Sequence, residues 1–218
     1  MKINLKNIDF VIFDCDGVIL DSNQIKTEAF NKTLSAYPKN KVDEFIIYHK
    51  KYGGISRKIK FEYFFFKILK LKDVKLITKS LKVFKKYVFQ KLVLAKFIKG
   101  VLKFIKILKK NKTKIFIVSG SLQSELREIF KKKNKDILFD EILGTPKNKI
   151  ENINYLKKKY NLNLKKGLFF GDSKTDWLAA RTFNIKFIFV REKSEWFDIQ
   201  KSFNIKKINN FLDLKLNE

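Results

Sequence analysis

Two pairs of carboxylates each close an apolar run in this chain. The stretch "DFVIFDCDGVILDS", from Asp9 to Ser22, drives Val11-Ile12-Phe13 into Asp14 and Asp16. Farther on, "GLFFGDSKTD" carries a second apolar run into Asp172 and Asp176. Acids beside a core lose hydration and repel one another, so such clusters call for a cation. Carboxylate oxygens are the hard ligands that Mg²⁺ takes. Two further segments add complementary groups. "IFIVSGS" ends on Ser119, Gly120 and Ser121, and "GTPKNKIENI" leads a Gly/Pro turn into Lys147 and Lys149. A hydroxyl and an ammonium suit phosphate oxygens. The set describes phosphoryl transfer, in which positioning and charge neutralisation supply most of the catalysis.

The elements that must carry these groups read as an α/β fold. Short apolar runs recur at 8–13, 115–118, 167–170 and 187–190, with little strict alternation. That pattern predicts strands covered on both faces, as in a parallel sheet. Helical stripes lie between them, such as Val101, Phe104, Ile105 and Leu108, or Ile153, Leu156 and Tyr160. Strands alternating with helices imply right-handed crossovers. Ligands of such sheets gather beyond the carboxyl ends of the strands, which puts all four segments on one rim.

Residues 21–96 break this rhythm. They carry helical patterns only, such as Leu81, Phe84, Val88, Leu92 and Ala95, and "FEYFFFKILKL" reads as a helical core. The expected division is a core domain of 1–20 and 97–218 with an all-helical insertion at 21–96. Inside the insertion, "GGISR" (Gly53 to Arg57) interrupts the helical pattern with a double glycine. It reads either as a helix–helix turn or as a loop lowered over the site. His49, the single histidine, lies in the polar helical stretch "IIYHKK" and is expected to be exposed.

Composition sets the remaining bounds. The 218 residues, 45% of them hydrophobic, suffice for a sizeable core with an insertion. One cysteine, Cys15, excludes an intramolecular disulfide framework and suits a reducing cytoplasm. No run approaches the roughly 18 apolar residues of a membrane span, and the N-terminus has no signal-like h-region. The net charge is +27. A basic balance of this size suits nucleic acid or an anionic membrane. The lysines run from end to end, however, and Lys, Asn, Ile and Phe all have A/T-only codons, so the charge reads as compositional bias on a solvated surface.

The segments "DCDGVILDS", "VSGS", the lysine of "TPKNKIENI" and "GDSKTDWLAA" resemble, in order, the four motifs of the haloacid dehalogenase (HAD) superfamily, in its phosphatase branch. The resemblance covers roughly residues 7–22 and 97–192, and the insertion resembles the helical C1-type cap of phosphoglycolate phosphatase and β-phosphoglucomutase relatives. It implies a Rossmann-like parallel-sheet core with a helical cap. It also implies Asp14 as nucleophile, Asp16 as general acid/base, Ser119 on a phosphoryl oxygen and a lysine to neutralise it. Asp14, Asp16 and Asp172 would hold Mg²⁺, with Asp176 in support. Lys147 and Lys149 both fit the lysine; Lys149 is favoured because a helix starts there. Gly17, Gly120, Ser56 and Arg57 would meet substrate, Arg57 as its reader from the cap. Asp21 and Ser22 resemble the hinge into the cap, while Cys15 and Trp177 are expected to pack.

Beside Mg²⁺ and a lysine, an ionised Asp14 is favoured, whereas Asp16 is expected to hold a proton with its pKa raised by its neighbour. The implied protein is a cytoplasmic Mg²⁺-dependent phosphatase of a small phosphomonoester, with sugar phosphates among the candidates. Its partner is a small phosphorylated metabolite, with no nucleic acid or membrane, and a monomer is favoured. A phosphomutase on the same machinery is the alternative. A non-catalytic basic nucleic-acid binder is the rival from another class.

Overall fold

The structure is a computed structural model and describes residues 1–196 and 205–217. The expected core domain at 97–218 therefore includes a part, 197–204 and 218, outside the described residues. Strand β1 (Lys2–Asn4) precedes β2 (Phe10–Phe13), which is buried along its whole length. β2 lies between β3 (Lys114–Leu122) and β5 (Gly167–Gly171), parallel to both, with Phe13 abreast of Ile117 and Phe170. Alternation along the strand sends successive side chains to opposite faces. Phe10 and Ile12 join Phe116, Val118 and Phe169 beneath α7 (Lys149–Tyr160) and α8 (Lys174–Thr182). Val11 and Phe13 belong to the other cluster, with the apolar stripes of α5 (Val101–Lys110) and α6 (Gln123–Lys132). Both faces of β2 are thus dry, which is why its sequence is an unbroken apolar run.

With β4 (Glu141–Thr145), β6 (Lys186–Val190) and β7 (Lys206–Ile208), the sheet has the order β4-β3-β2-β5-β6-β7, all parallel. The apolar-run reading missed β4 and β7. β4 begins on a glutamate and ends in Gly-Thr, and β7 is the lysine-rich "KKI" with only Ile208 buried. It also missed β1, which pairs in parallel with β8 (Lys215–Asn217) in a separate two-stranded sheet.

Between β2 and α5 lie α1 (Asn23–Thr33), α2 (Lys39–Lys51), α3 (Arg57–Glu62) and α4 (Val74–Leu94), with a π-helical segment, Tyr63–Ile68, continuing α3. Their interior is aromatic. Phe30 meets Phe45, Phe61 and Phe84 with ring centroids 5.2, 5.2 and 4.5 Å apart. The two chain segments that join this layer to the sheet run side by side. Asp21 N donates to Lys96 O (2.9 Å) and Ile98 N to Ile19 O (2.9 Å). Among the described residues no helix is long and apolar enough to cross a membrane.

Candidate active site

Asp14 is the first residue beyond β2, and its N–H continues the ladder by donating to Phe170 O at 2.9 Å. The sheet builds outward from β2 in both directions, so the crevice at its carboxyl end is where an open α/β sheet places ligands. Asp172 leaves β5 at the same rim. Carboxylate oxygens of Asp14, Asp172 and Asp176 all lie within 4.8 Å of one another, and all three residues are buried. Gly17 makes this approach possible. Its φ is +75°, and a Cβ there would stand 2.2 Å from Asp172 Oδ2.

Lys149 is the first residue of α7, held by a capping box in which Asn148 Oδ1 accepts from Glu151 N (3.0 Å) and Glu151 Oε2 from Asn148 N (2.7 Å). Its Nζ lies 3.1 Å from Asp14 Oδ1 and also pairs with Asp176. The other oxygen of Asp176 accepts from Ser173 N (3.1 Å) and Ser173 Oγ (2.5 Å), so Asp176 aims the lysine. Lys147 sits apart, its ammonium 5.3 Å from the Tyr155 ring centroid. Ser119 is buried, and its hydroxyl accepts from Ser121 N at 3.2 Å.

The acids fit a divalent cation. Asp14 Oδ1 is buried and, although within ion-pair distance of Lys149, receives no aligned hydrogen bond. Burial and then the Asp176 charge push the Asp14 carboxyl up to about 7, against the pull of Lys149. Asp172 is driven well above the ordinary range by burial, Asp14 and Asp176, although Asn23 Nδ2 donates to its Oδ2 at 2.7 Å. Three crowded acids facing one lysine are the electrostatic condition a hard cation relieves.

Asp16 departs from expectation twice. Its carboxylate does not join the three-acid group. Oδ1 accepts from Ser22 Oγ (2.6 Å), and Oδ2 accepts from Ser121 Oγ (3.1 Å) and from Lys26. Burial would raise its pKa, but Lys26 and the two hydroxyls outweigh burial and hold it below the ordinary value. In this geometry Asp16 is ionised, not protonated. Lys26 decides this, and it sits a full helical turn beyond the motif, four residues after Ser22.

The "GGISR" turn lies on the core. Thr175 Oγ1 donates to Gly53 O (3.0 Å), and a Cβ on Gly120 would lie 2.1 Å from Gly54 O. Gly54 (φ +76°) sits so close to Lys149 that a Cβ would be 3.2 Å from its Nζ. Ser56 caps α3, accepting from Ile59 N at 3.4 Å. Arg57 Nη2 donates to Glu125 Oε1 of α6 at 2.6 Å, with the guanidinium 5.3 Å from the Phe84 ring centroid. One arm of its fork is engaged by the core.

His49 is not exposed. It is 5% accessible, with Nε2 3.0 Å from Thr27 Oγ1 and Nδ1 2.7 Å from Lys60 Nζ. The helix face it shares with Val42 and Phe45 is the buried one, and neighbouring lysines masked that pattern in the sequence. Cys15 packs in the core, and Trp177 lies 6.3 Å from Trp196 between ring centroids. A cavity of about 80 Å³ lies between insertion and sheet, lined among others by Asp14, Ser119, Asp172, Arg57, His49 and Lys60. Asn23, Lys26, Lys60 and Glu125 carry no motif signal in the sequence, and Ser121 shows there only as the end of "SGS". Only Lys26 and Lys60 left a trace, at helical spacing from Ser22 and Arg57.

Comparison with known proteins agrees with this architecture. A predicted phosphoglycolate phosphatase from Haemophilus somnus 129pt superposes with a TM-score of 0.76 at 18% identity, covering 95% of this chain and 96% of that one. A β-phosphoglucomutase from Clostridium difficile gives 0.74 at 18% identity, covering 95% and 93%. A predicted phosphatase from Clostridium acetobutylicum gives 0.74 at 18% identity, covering 94% and 95%. No curated protein matches the chain in sequence. The family model of haloacid dehalogenase-like hydrolases matches residues 11–190, from within β2 to the end of β6, and so takes in Asp14, Ser119, Lys149, Asp172 and Asp176. The chain therefore belongs to the haloacid dehalogenase-like hydrolase family.

Proposed function

We propose that this hydrolase is a cytoplasmic Mg²⁺-dependent phosphatase that cleaves a small phosphomonoester through an aspartyl-phosphate. One observation carries the reading: Lys149 is wedged between Asp14 and Asp176, two members of a buried three-acid group whose Asp14 and Asp172 line a small cavity. Asp14 and Asp172 would hold the cation, with Asp176 aiming Lys149. When bound, Mg²⁺ supplies positive charge that keeps Asp14 ionised and offsets the charge of the transferring phosphoryl group.

Asp14 is the group placed to attack phosphorus, displacing the alcohol of the ester. Lys149 and Ser119 are placed to hold phosphoryl oxygens. Asp16, ionised beside Lys26 as found, is set to take a proton from the water that opens the acyl phosphate. The proton so gained is the one it gives to the leaving oxygen of the next ester. The insertion, taken as a cap of residues 21–96, would limit the entry of water.

The test is phosphate release from a panel of phosphomonoesters with Mg²⁺. Folded Asp14→Asn and Asp172→Ala should each lose at least about a thousandfold in kcat/KM. Substantial turnover by either variant, or full turnover in excess chelator, would refute the mechanism. The contact of Gly54 with Gly120 over the site favours keeping water out, which a phosphomutase needs. An isomeric sugar phosphate in place of free phosphate would identify that activity.

A further inference from the structure

Of the cations that line the cavity, Lys26 pairs with Asp16 and Arg57 with Glu125, while Lys50, Lys51 and Lys174 are exposed to solvent. Lys60 is different. It lines the same cavity from α3, is 4% accessible, and among the described residues forms no ion pair with a carboxylate. Its Nζ contacts His49 Nδ1 (2.7 Å) and donates to His49 O (3.1 Å), and it lies 5.9 Å from the centroid of the Phe30 ring. A buried ammonium without a counter-charge is costly to fold around.

The hydrogen bonds around it have one self-consistent direction. Thr27 Oγ1 donates to Glu195 Oε1 at 3.4 Å, so it accepts from His49 Nε2–H at 3.0 Å. His49 Nδ1 is then an acceptor, and Lys60 Nζ donates a hydrogen bond to it. An ammonium has three donors, and the histidine ring and carbonyl use two. The third is left for whatever enters the cavity.

We propose that Lys60, oriented by the His49–Thr27–Glu195 chain, reads the end of the substrate remote from the phosphoryl group, and that this end carries its own negative charge. The inference rests on the phosphomonoester reading for where the phosphoryl end sits. A carboxylate or a second phosphate would each complete the missing ion pair. Burial, and then the charge of Lys26, pull the Lys60 ammonium down to about 7, so a docking anion is also what fixes its proton. Arg57, the cap residue first expected in this role, is held by Glu125.

Three non-hydrolysable probes of matched length test this by calorimetry in excess Mg²⁺: propylphosphonate, 3-phosphonopropionate and propane-1,3-diphosphonate. In the wild type, at least one of the two probes with an anion at both ends should bind about tenfold or more tighter than propylphosphonate, the scale of one charge-assisted hydrogen bond. Which probe gains distinguishes a carboxylate from a second phosphate. In Lys60→Met that ratio should collapse to near unity. Equal binding of all three by the wild type, or an unchanged ratio in the variant, would leave Lys60 as a mere cap for the His49 carbonyl and overturn the inference. Failure of all three to bind would instead remove the phosphomonoester reading, and the inference with it. Should Lys60→Met not fold, the Lys60 side-chain resonances of the wild type decide. Their titration should move upward in pH with the preferred probe and stay put with propylphosphonate; a titration that ignores both overturns the proposal.

Discussion

Asp14 holds two opposed requirements in one carboxyl. The buried strand end that aims it also strips its water, and its pKa rises from 3.8 to about 7 through burial and Asp176, with Lys149 pulling the other way. Because the folded value lies above the unfolded one, the native protein binds the extra proton between those two pH values. Stability through this group is therefore present at low pH and lost as pH rises through about 7. Asp14→Asn removes the titration. Without divalent cations at pH 8, the variant should be more stable than the wild type by an amount on the order of a few kcal/mol, read as a higher Tm, and the gap should shrink toward pH 4. Adding Mg²⁺ should narrow the gap at pH 8, since only the wild type keeps the full acid set that a cation can stabilise by binding. Thermal melts in chelator and in Mg²⁺ measure both. A variant that melts lower at pH 8 in chelator would mean that the Lys149 pairing outweighs the burial.

Elements meet at this site through a few polar contacts. Helix α1 reaches two strand-end loops, through Lys26 on Asp16 and Asn23 on Asp172, and the turn before α3 rests on Thr175 and Gly120. Arg57 and Glu125 join α3 to α6 in a pair of which the glutamate is the more buried partner. Removing one member of a buried pair leaves the other charge uncompensated and costs about 3–5 kcal/mol, whereas removing both costs less than the sum. Arg57→Met, which keeps the contact with Phe84, should thus destabilise strongly through the stranded Glu125, and adding Glu125→Leu should recover much of the loss. Denaturant unfolding of the two single variants and the double variant reads the coupling. Strictly additive losses would show that the pair does not tie cap to core.

At the scale of the whole molecule the dominant fact is a net charge of +27 on a chain whose site is rich in acids. Most lysines project from exposed positions in every layer, so the field is broad rather than aimed. Such a field raises the local concentration of small anions without discriminating among them, and salt screens it over about 10 Å at 0.1 M. Raising NaCl from about 0.02 to 0.5 M should lower kcat/KM for a phosphomonoester several-fold while leaving kcat in place. A kcat that falls in parallel would place the salt effect inside the site. Any RNA binding should vanish over the same salt range and be the same in Asp14→Asn.

The sequence by itself determined the parts that depend on local order. Asp14 and Asp172 had to emerge at strand ends because an unbroken apolar run is buried on both faces and stops where charge begins. Lys149 had to open a helix because Asn148 and Glu151 form its cap. Cys15, the residue between two acids beyond β2, packs in the buried core as an apolar neighbour of that strand would. Tertiary structure alone decided the rest. Lys26 turns Asp16 into an ionised group only because α1 folds back over the loop. Arg57 has its partner in Glu125, 68 residues away on another layer. His49 and Lys60 read as two more polar residues among many lysines until the aromatic interior of α1–α4 closed around them. Which face of a helix is buried follows from what packs against it, and in a chain this rich in lysine the helical period carries too little contrast to show that face in advance.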